Sequence, residues 1–274
     1  MKVAVVGHVE WVEFVRVRKV PVPGEIVHAE SWWEEPGGGG AGAAVQLGKL
    51  AGRASFFTAL GDDELGERVR HDLSRLGLDV HAVARPEPTR RALTHVDATG
   101  ERTITVLGER LAPFGADPLP WDKLAGFDAV YFTAGDRHAL GHARQARVLV
   151  ATSRVLPVLK GSGVRLDALV GSAGDQSEQF LPSDLDPPPA VSVWTNGDDG
   201  GTYTTDHGNG RYAAAPAGPI ADRYGAGDSF AGGLTYGLGR GLSTQAAIEL
   251  AAKCGAAVVQ GSGPYAAQLQ GDDA

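Results

Sequence analysis

The sequence predicts an α/β fold in which a mostly parallel sheet is covered by helices on both faces and carries a small, partly exposed β-sheet. Three observations predict it. Val3 to Val6 is a continuous apolar run ending at Gly7, the pattern of a strand buried on both sides. From residue 127 onward, strand-like runs alternate with helical ones, which argues for parallel strands joined by crossovers. Between these, residues 9–33 read as extended segments, alternating apolar with charged residues from Val12 to Arg18, that form a small exposed sheet separate from the core.

Trp11-Val-Glu-Phe-Val-Arg-Val-Arg18 alternates as a strand wet on one side does. Pro21 and Pro23-Gly24 turn the chain, and Ile26 to Trp33 extends again. Gly37 to Gly42 then opens a helix of small residues, with Ala44, Leu47 and Ala51 on one stripe. A dinucleotide fingerprint needs a buried strand before its glycines, and Trp32-Trp-Glu-Glu-Pro36 does not read as one. Phe56–Leu60 is a strand, and the helix after Gly61 carries Leu65, Val69, Leu73 and Leu76 before stopping at Gly77. Leu93–Asp97 and Thr103–Leu107 form a hairpin about Ala98-Thr-Gly100.

Further strands are expected at Asp128–Phe132, Val148–Ala151, Leu166–Val170 and Val191–Thr195, with a polar helix near 137–146 and a short one after Gly174. The Pro-rich segment Leu181–Pro189 is a surface connection. A hairpin, Thr202–Thr205 with Arg211–Ala214, precedes the last helical region, whose final helix is capped by Ser243.

The most informative stretch is Asp222-Arg-Tyr-Gly-Ala-Gly-Asp-Ser-Phe230. Gly225, Ala226 and Gly227 carry no bulky side chain, so successive N–H groups there converge on an anion at the positive end of the following helix. Asp228 stands beside that hole, placed to take the proton of an attacking hydroxyl. The alternative is an ordinary glycine turn with Asp228 or Ser229 as a helix cap.

Asp222-x-x-Gly-Ala-Gly-Asp228-Ser-Phe resembles the C-terminal signature of the ribokinase-like (PfkB) carbohydrate kinases, Asp-Thr-Thr-Gly-Ala-Gly-Asp-Ser/Ala-Phe. The run Gly37-Gly-Gly-Gly-Ala-Gly-Ala44 resembles the N-terminal signature, Gly-Gly-x-Gly-Ala-Asn-x-Ala, and Gly61-Asp-Asp-x-Leu-Gly66 is also family-like. The signatures occur in the family's order across the whole chain.

The resemblance implies a single ribokinase-like domain with a β lid from segments 9–33 and 89–107, ATP and Mg²⁺ as cofactors, and a sugar or nucleoside as acceptor. It implies Asp228 as catalytic base, the backbone of Gly225, Ala226 and Gly227 as the hole for the γ-phosphate, and Thr195-x-Gly197-x-x-Gly200 as the nucleotide loop. Asp175-Gln-Ser-Glu178 stands where the family has Asn-x-x-Glu, which organises the magnesium-bound phosphates; the pair reads equally as first-turn acids of an exposed helix. Arg223 replaces a threonine and either grips a phosphate or faces water.

On the acceptor side the match is poor. Gly37 and Gly38 match the signature, but its lysine is Gly39 and its substrate-reading asparagine is Gly42. The usual N-terminal aspartate has no clean counterpart: Glu10 and Glu13 flank its place, and Val12 occupies it. Asp136 is a candidate substitute contact, with a surface-loop acid as the alternative. Retention of base and anion hole favours an enzyme over a catalytically silent binder on the same fold.

The 25 Lys and Arg against 33 Asp and Glu give a net charge of −8, which offers no general grip on nucleic acid or anionic membrane. The one cysteine, Cys254, permits no intrachain disulfide and reads as a buried small hydrophobe. The N-terminus reads as a strand, not a signal peptide, and no run reaches the ~20 apolar residues of a membrane span. A soluble cytoplasmic protein is expected. Trp11, Trp32 and Trp33 are expected to pack the small sheet or a homodimer contact through the lid, rather than stack on a ligand. The histidines, including His138 and His142, lack the companion acid of a zinc motif. Monovalent-cation activation, known in the family, leaves no mark to be read here.

Overall fold

The computed structural model describes residues 1–271. Nine strands form the main sheet: β1 (Val3–Val6), β4 (Ala54–Gly61), β5 (Leu78–Arg85), β8 (Ala129–Phe132), β9 (Val148–Thr152), β10 (Ala168–Ser172), β11 (Val191–Thr195), β12 (Gly201–Thr205) and β13 (Gly208–Tyr212). Their order is β13-β12-β11-β10-β9-β8-β1-β4-β5. Only the β11-β12-β13 edge is antiparallel. The second sheet holds β2 (Glu10–Arg16), β3 (Ser31–Gly37), β6 (Arg91–Val96) and β7 (Arg102–Leu107), in the order β3-β2-β6-β7.

Alternation along the central strands divides the core. Val3 and Val5 of β1 point to one face, under α1 (Gly39–Ala51), α2 (Glu64–Arg75), α5 (Ala226–Gly239) and α6 (Thr244–Val258). Ala4 and Val6 point to the other, with Leu140 and Ala143 of α3 (Arg137–Ala143) and Leu159 of the short α4 (Leu156–Leu159). From β1 the chain moves outward to β4 and β5, then returns to β8 and proceeds the opposite way. The strands therefore change direction of travel between β1 and β8. A crevice opens beyond the carboxyl ends of strands at such a switch point, and here the segments leaving β1, β8, β9, β10 and β11 all border one cleft.

Small residues on α5 let its neighbours approach closely. A Cβ at Gly233 would lie 2.7 Å from Cys254 Sγ and 2.9 Å from Ala251 Cα on α6. At Gly232 it would lie 3.1 Å from the Ala43 carbonyl of α1. Cys254 is buried in this contact, and burial pushes its thiol up to about 12.

The small sheet departs from the wet alternating strand expected for residues 11–18. Trp11, Val12 and Phe14 are all buried. Trp11 joins the main core with the Arg68 guanidinium 4.1 Å over its ring, while Val12 and Phe14 pack with Tyr224 from the body of the protein. Both faces of β2 are thus covered, and Glu13 and Arg16 sit at half-buried positions. Trp33 stacks on Phe14 at 4.9 Å, whereas Trp32 is 69 % exposed. Packing accounts for two of the three tryptophans.

Ile26 is 91 % exposed and the strand expected from it begins only at Ser31. The segment that runs into the glycine loop is itself a strand, β3, but it belongs to the small sheet. The edge strand β5 escaped prediction because its residues are mostly half-buried, giving no clean period. The helix near 137–146 ends at Ala143, and the one after Gly174 is a single 3₁₀ turn, Gln176–Glu178. Ser243 caps α6, accepting the Ala246 N–H, as expected.

Glu35 on β3 sits where the small sheet meets the body, and its carboxyl accepts the Trp33 indole N–H at 2.9 Å. Burial, reinforced by Asp222 and Asp72, raises its pKa from 4.5 to about 7 against the opposing Trp33 bond. The folded state holds this proton more tightly than the unfolded one, so the stabilisation is complete below the unfolded value and lost as pH rises through about 7. Glu35→Gln should therefore flatten the fall in melting temperature between about pH 5 and 8, read by thermal denaturation across that range. Gly233→Ala should cost about 1–3 kcal/mol in chemical denaturation, because overpacking against Cys254 outweighs the gain in helix propensity.

Candidate active site

A cleft of about 520 Å³ lies under the small sheet, between the strand ends and the starts of α1 and α5. Its floor is the N-terminus of α5. Gly225 precedes the helix at φ 81°, a left-handed conformation that suits glycine, and no side chain caps the helix. The first intrahelical bond runs from Ser229 N–H to Gly225 O, leaving the N–H groups of Ala226, Gly227 and Asp228 outside the helical ladder. A Cβ at Gly227 would meet nothing within 4 Å, so open space lies before these donors.

Asp228, in the first turn, is half-buried on this floor. Burial raises its pKa, opposed by the charges of Arg154 and Arg102, and no hydrogen bond from the described residues holds its ionised form. It faces the start of α1. A Cβ at Gly39 would stand 2.9 Å from Asp228 Oδ1, and one at Gly42 would stand 3.2 Å from its Cβ. These glycines clear the ground around the carboxylate.

Three hydrogen bonds to Tyr224 and Asp222 fix the floor. The Gly38 N–H donates to the Tyr224 hydroxyl oxygen at 2.9 Å, joining motifs 186 residues apart. Asp222, fully buried, accepts N–H bonds from Tyr224 at 2.8 Å and Gly263 at 3.0 Å.

Thr195, Gly197 and Gly200 border the cleft, as do Ala252, Gly255 and Ala256 of α6. One end holds His8 and Glu10, from the segment after β1, with Gly38, Arg90 and Arg110.

The pfkB family carbohydrate kinase model matches residues 1–153 and 149–270. The chain belongs to the PfkB family of carbohydrate kinases. It is 28 % identical to the aminoimidazole riboside kinase of Salmonella typhimurium over 86 % of each protein. It is 25 % identical to the ATP-dependent ribose-1-phosphate kinase of Halopiger xanaduensis over 93 % of this chain and 91 % of that one. The ribokinase of Thermotoga maritima superposes with a TM-score of 0.78 at 19 % identity, covering 99 % of this chain and 97 % of its own, which establishes the shared fold. The chain is thus a phosphotransferase with an alcohol group as acceptor.

In this PfkB kinase the residues singled out from sequence separate into three groups. Asp228, Gly225, Ala226, Gly227, Thr195, Gly197, Gly200, Glu10 and Gly38 all line the cleft. Gly42 lies behind Asp228 as spacing, and Gly37 is packed against Val12 and the Tyr224 hydroxyl. Glu13 and Asp136 are not brought to the cleft. Glu13 points to the outer side of β2 and pairs with Arg91. Asp136 caps α3, accepting the Ala139 and Gly115 N–H groups at 2.8 Å each.

Arg223 reaches the cleft, yet its guanidinium is bonded to both oxygens of Asp198 at 3.2 and 3.0 Å. Glu178 is buried, and its Oε1 accepts from Arg154 Nε at 2.6 Å; Asp175 caps the turn before it through Ser177 N–H. Among the described residues no three His, Cys, Asp or Glu side chains gather as a metal cage. Both acids line the cleft, each already engaged by a neighbour, Glu178 by Arg154 and Asp175 by Ser177.

Sequence reasoning passed over His8, Arg90, Arg102, Arg110 and Arg154. Arg102 sits on β7 with Ile104 and Val106, the alternate positions facing the cleft. That strand is exposed along its whole length, so burial pattern gave no cue; the period-2 spacing 102, 104, 106 was the available signal.

Tyr224→Phe should strand the buried Gly38 N–H and cost about 1–3 kcal/mol, measured by denaturant titration. The KM for the acceptor should rise more than that for nucleotide, since the loosened loop is the one at the start of α1.

Proposed function

We propose that this kinase transfers the γ-phosphoryl group of ATP to a hydroxyl of a sugar, nucleoside or related small molecule, with Asp228 as general base. The observation that carries the proposal is the carboxylate itself: it is desolvated, unbonded and next to the unpaired N–H groups of α5. A carboxylate kept for stability would be paired or hydrogen-bonded. One held bare is free to bond a substrate hydroxyl, and its raised pKa makes it a stronger proton acceptor than an ordinary aspartate.

The amides of Ala226, Gly227 and Asp228 point where charge accumulates on the migrating group, and they need no reorganisation to do so. Arg154, whose charge is felt by Asp228, adds positive potential at the same place. Gly197 and Gly200 border the cleft together with Ala252, Gly255 and Ala256 of α6, and we assign this part to the nucleotide. Glu178 and Asp175 would be the residues to hold a magnesium ion, which would neutralise phosphate charge when bound. Arg154 holds Glu178 at the cleft. The names of the two ribose-related kinases among its relatives support an acceptor of that general kind.

Asp228→Asn separates chemistry from folding. The folded pKa of Asp228 is raised, so its ionised form costs stability once pH exceeds that value, and the neutral amide removes the cost. The variant should lose about 10²–10⁴-fold in kcat, keep its affinity for ATP in calorimetry, and melt at a higher temperature than the parent at neutral pH. Full activity in Asp228→Asn would overturn the mechanism. ATP binding by the parent with no phosphorylated product from any polyol, sugar, sugar phosphate or nucleoside would instead mark the protein as a silent binder.

A further inference from the structure

Residues 263–269 belong to no helix or strand, yet they are bonded to both helices that meet at Asp228 and to the segments before them. The Gly263 N–H donates to the buried Asp222 before α5, and the Tyr265 hydroxyl donates to the Pro36 carbonyl before α1 at 2.7 Å. From α1, Gln46 donates to the Leu269 carbonyl at 2.9 Å and Lys49 to that of Tyr265. Gln268, 4 % exposed, reaches both helices at once. Its Nε2 donates to the Gly42 carbonyl of α1 at 2.9 Å and to the Ser229 hydroxyl oxygen of α5 at 3.1 Å.

These two contacts flank the carboxylate. Ser229 follows Asp228 in the chain, and Gly42 is the α1 residue at which a Cβ would stand 3.2 Å from Asp228 Cβ. Gly42, Ser229 and Gln268 do not line the cleft, so the amide reaches the site only through its two partners. Stability alone does not account for it. Gln268 Oε1 is buried with no hydrogen-bond partner, a cost that an apolar side chain of similar volume would avoid. Asp228 itself accepts no hydrogen bond from the described residues, so its carboxylate is held in place by the packing of α5 against α1. Tyr224 ties the two helix starts on the cleft side, through Gly38.

Resting on Asp228 as the general base, we propose that Gln268 is a positioning residue for phosphoryl transfer: by joining the first turn of α5 to the first turn of α1, it fixes the Asp228 carboxylate at the distance from the acceptor hydroxyl at which the proton is transferred. That distance is about 2.6–3.2 Å between heavy atoms, and an error of about 1 Å costs on the order of 100-fold in rate. Gln268 touches no reacting atom. Its effect passes through Ser229 and Gly42 to the carboxylate they flank.

Gln268→Met keeps the volume and removes both donated bonds. With ATP and the fastest acceptor from a panel of polyols, sugars, sugar phosphates and nucleosides, kcat should fall about 10–100-fold while the KM of each substrate stays within about twofold. The deciding measurement is the same substitution placed in Asp228→Asn. A side chain that acts by positioning the carboxylate has no such effect once the carboxylate is gone, so the residual kcat should fall less than about threefold. Ser229→Ala deletes only the hydroxyl that accepts from Gln268 and gives a second cycle that does not depend on Gln268→Met folding. Its expected fall is about 3–10-fold, again lost in Asp228→Asn.

An equal fall in both backgrounds of either cycle, or an unchanged kcat in Gln268→Met, overturns the positioning role and leaves Asp228 as the base. A rise in KM with kcat unchanged also overturns it. Full activity of Asp228→Asn removes the base and its positioning residue together, and so does a parent that binds ATP but phosphorylates nothing in the panel.

Discussion

The structure turns on one carboxylate that is taken out of water and given no hydrogen bond in return. Asp228 stands at the start of α5, against the start of α1, and the two helices meet there because the residues between them are small. Gly39 and Gly42 leave the carboxylate its room, while Gly232 and Gly233 let α5 lie close to α1 and α6. Larger side chains at these places would push apart the walls of the cleft. The desolvation of Asp228 is thus set by helix packing, and the buried Asp222 and Tyr224 ties keep the loop before α5 from relaxing it.

Around this point the cleft divides by how it is built. The floor comes mainly from one run of chain, residues 225–228, whose first N–H groups lie outside the helical ladder. The end that holds His8 and Glu10 is assembled from segments distant in sequence: the chain after β1, the start of α1 and the two flanks of the β6–β7 hairpin. A contiguous backbone site is tolerant of sequence change elsewhere. An assembled site changes character whenever one contributor changes, and here its contributors include His8, Glu10, Arg90 and Arg110.

Much of this was legible from residues alone where the information is local. The run Val3–Val6 announced a buried strand, Ser243 a helix cap, and Gly225-Ala-Gly-Asp228 an anion hole with an acid beside it. Glu13 looked as eligible as Glu10, since type and rough position were all that could be judged, and Asp136 stood as a candidate beside the reading of a surface-loop acid. Which way a strand faces decided between Glu10 and Glu13, and a helix start claimed Asp136 as its cap. Arg90, Arg110 and Arg154 carry no pattern among other surface-like arginines. Their common destination is set by the β6–β7 hairpin folding over the ends of β1 and β9.

By itself the sequence determined the parallel sheet, the helix starts and the glycine turn with an acid at residues 225–228, because hydrophobic period, glycine and capping residues act over a few neighbouring positions. Only the tertiary structure decided that Asp228 would be bare, that Glu178 and Arg223 would be engaged by partners of opposite charge, and that Arg90 and Arg110 would share one end of the cleft. Those outcomes depend on desolvation and on charges meeting across distant segments, and such interactions come into being only when the small sheet closes over the strand ends.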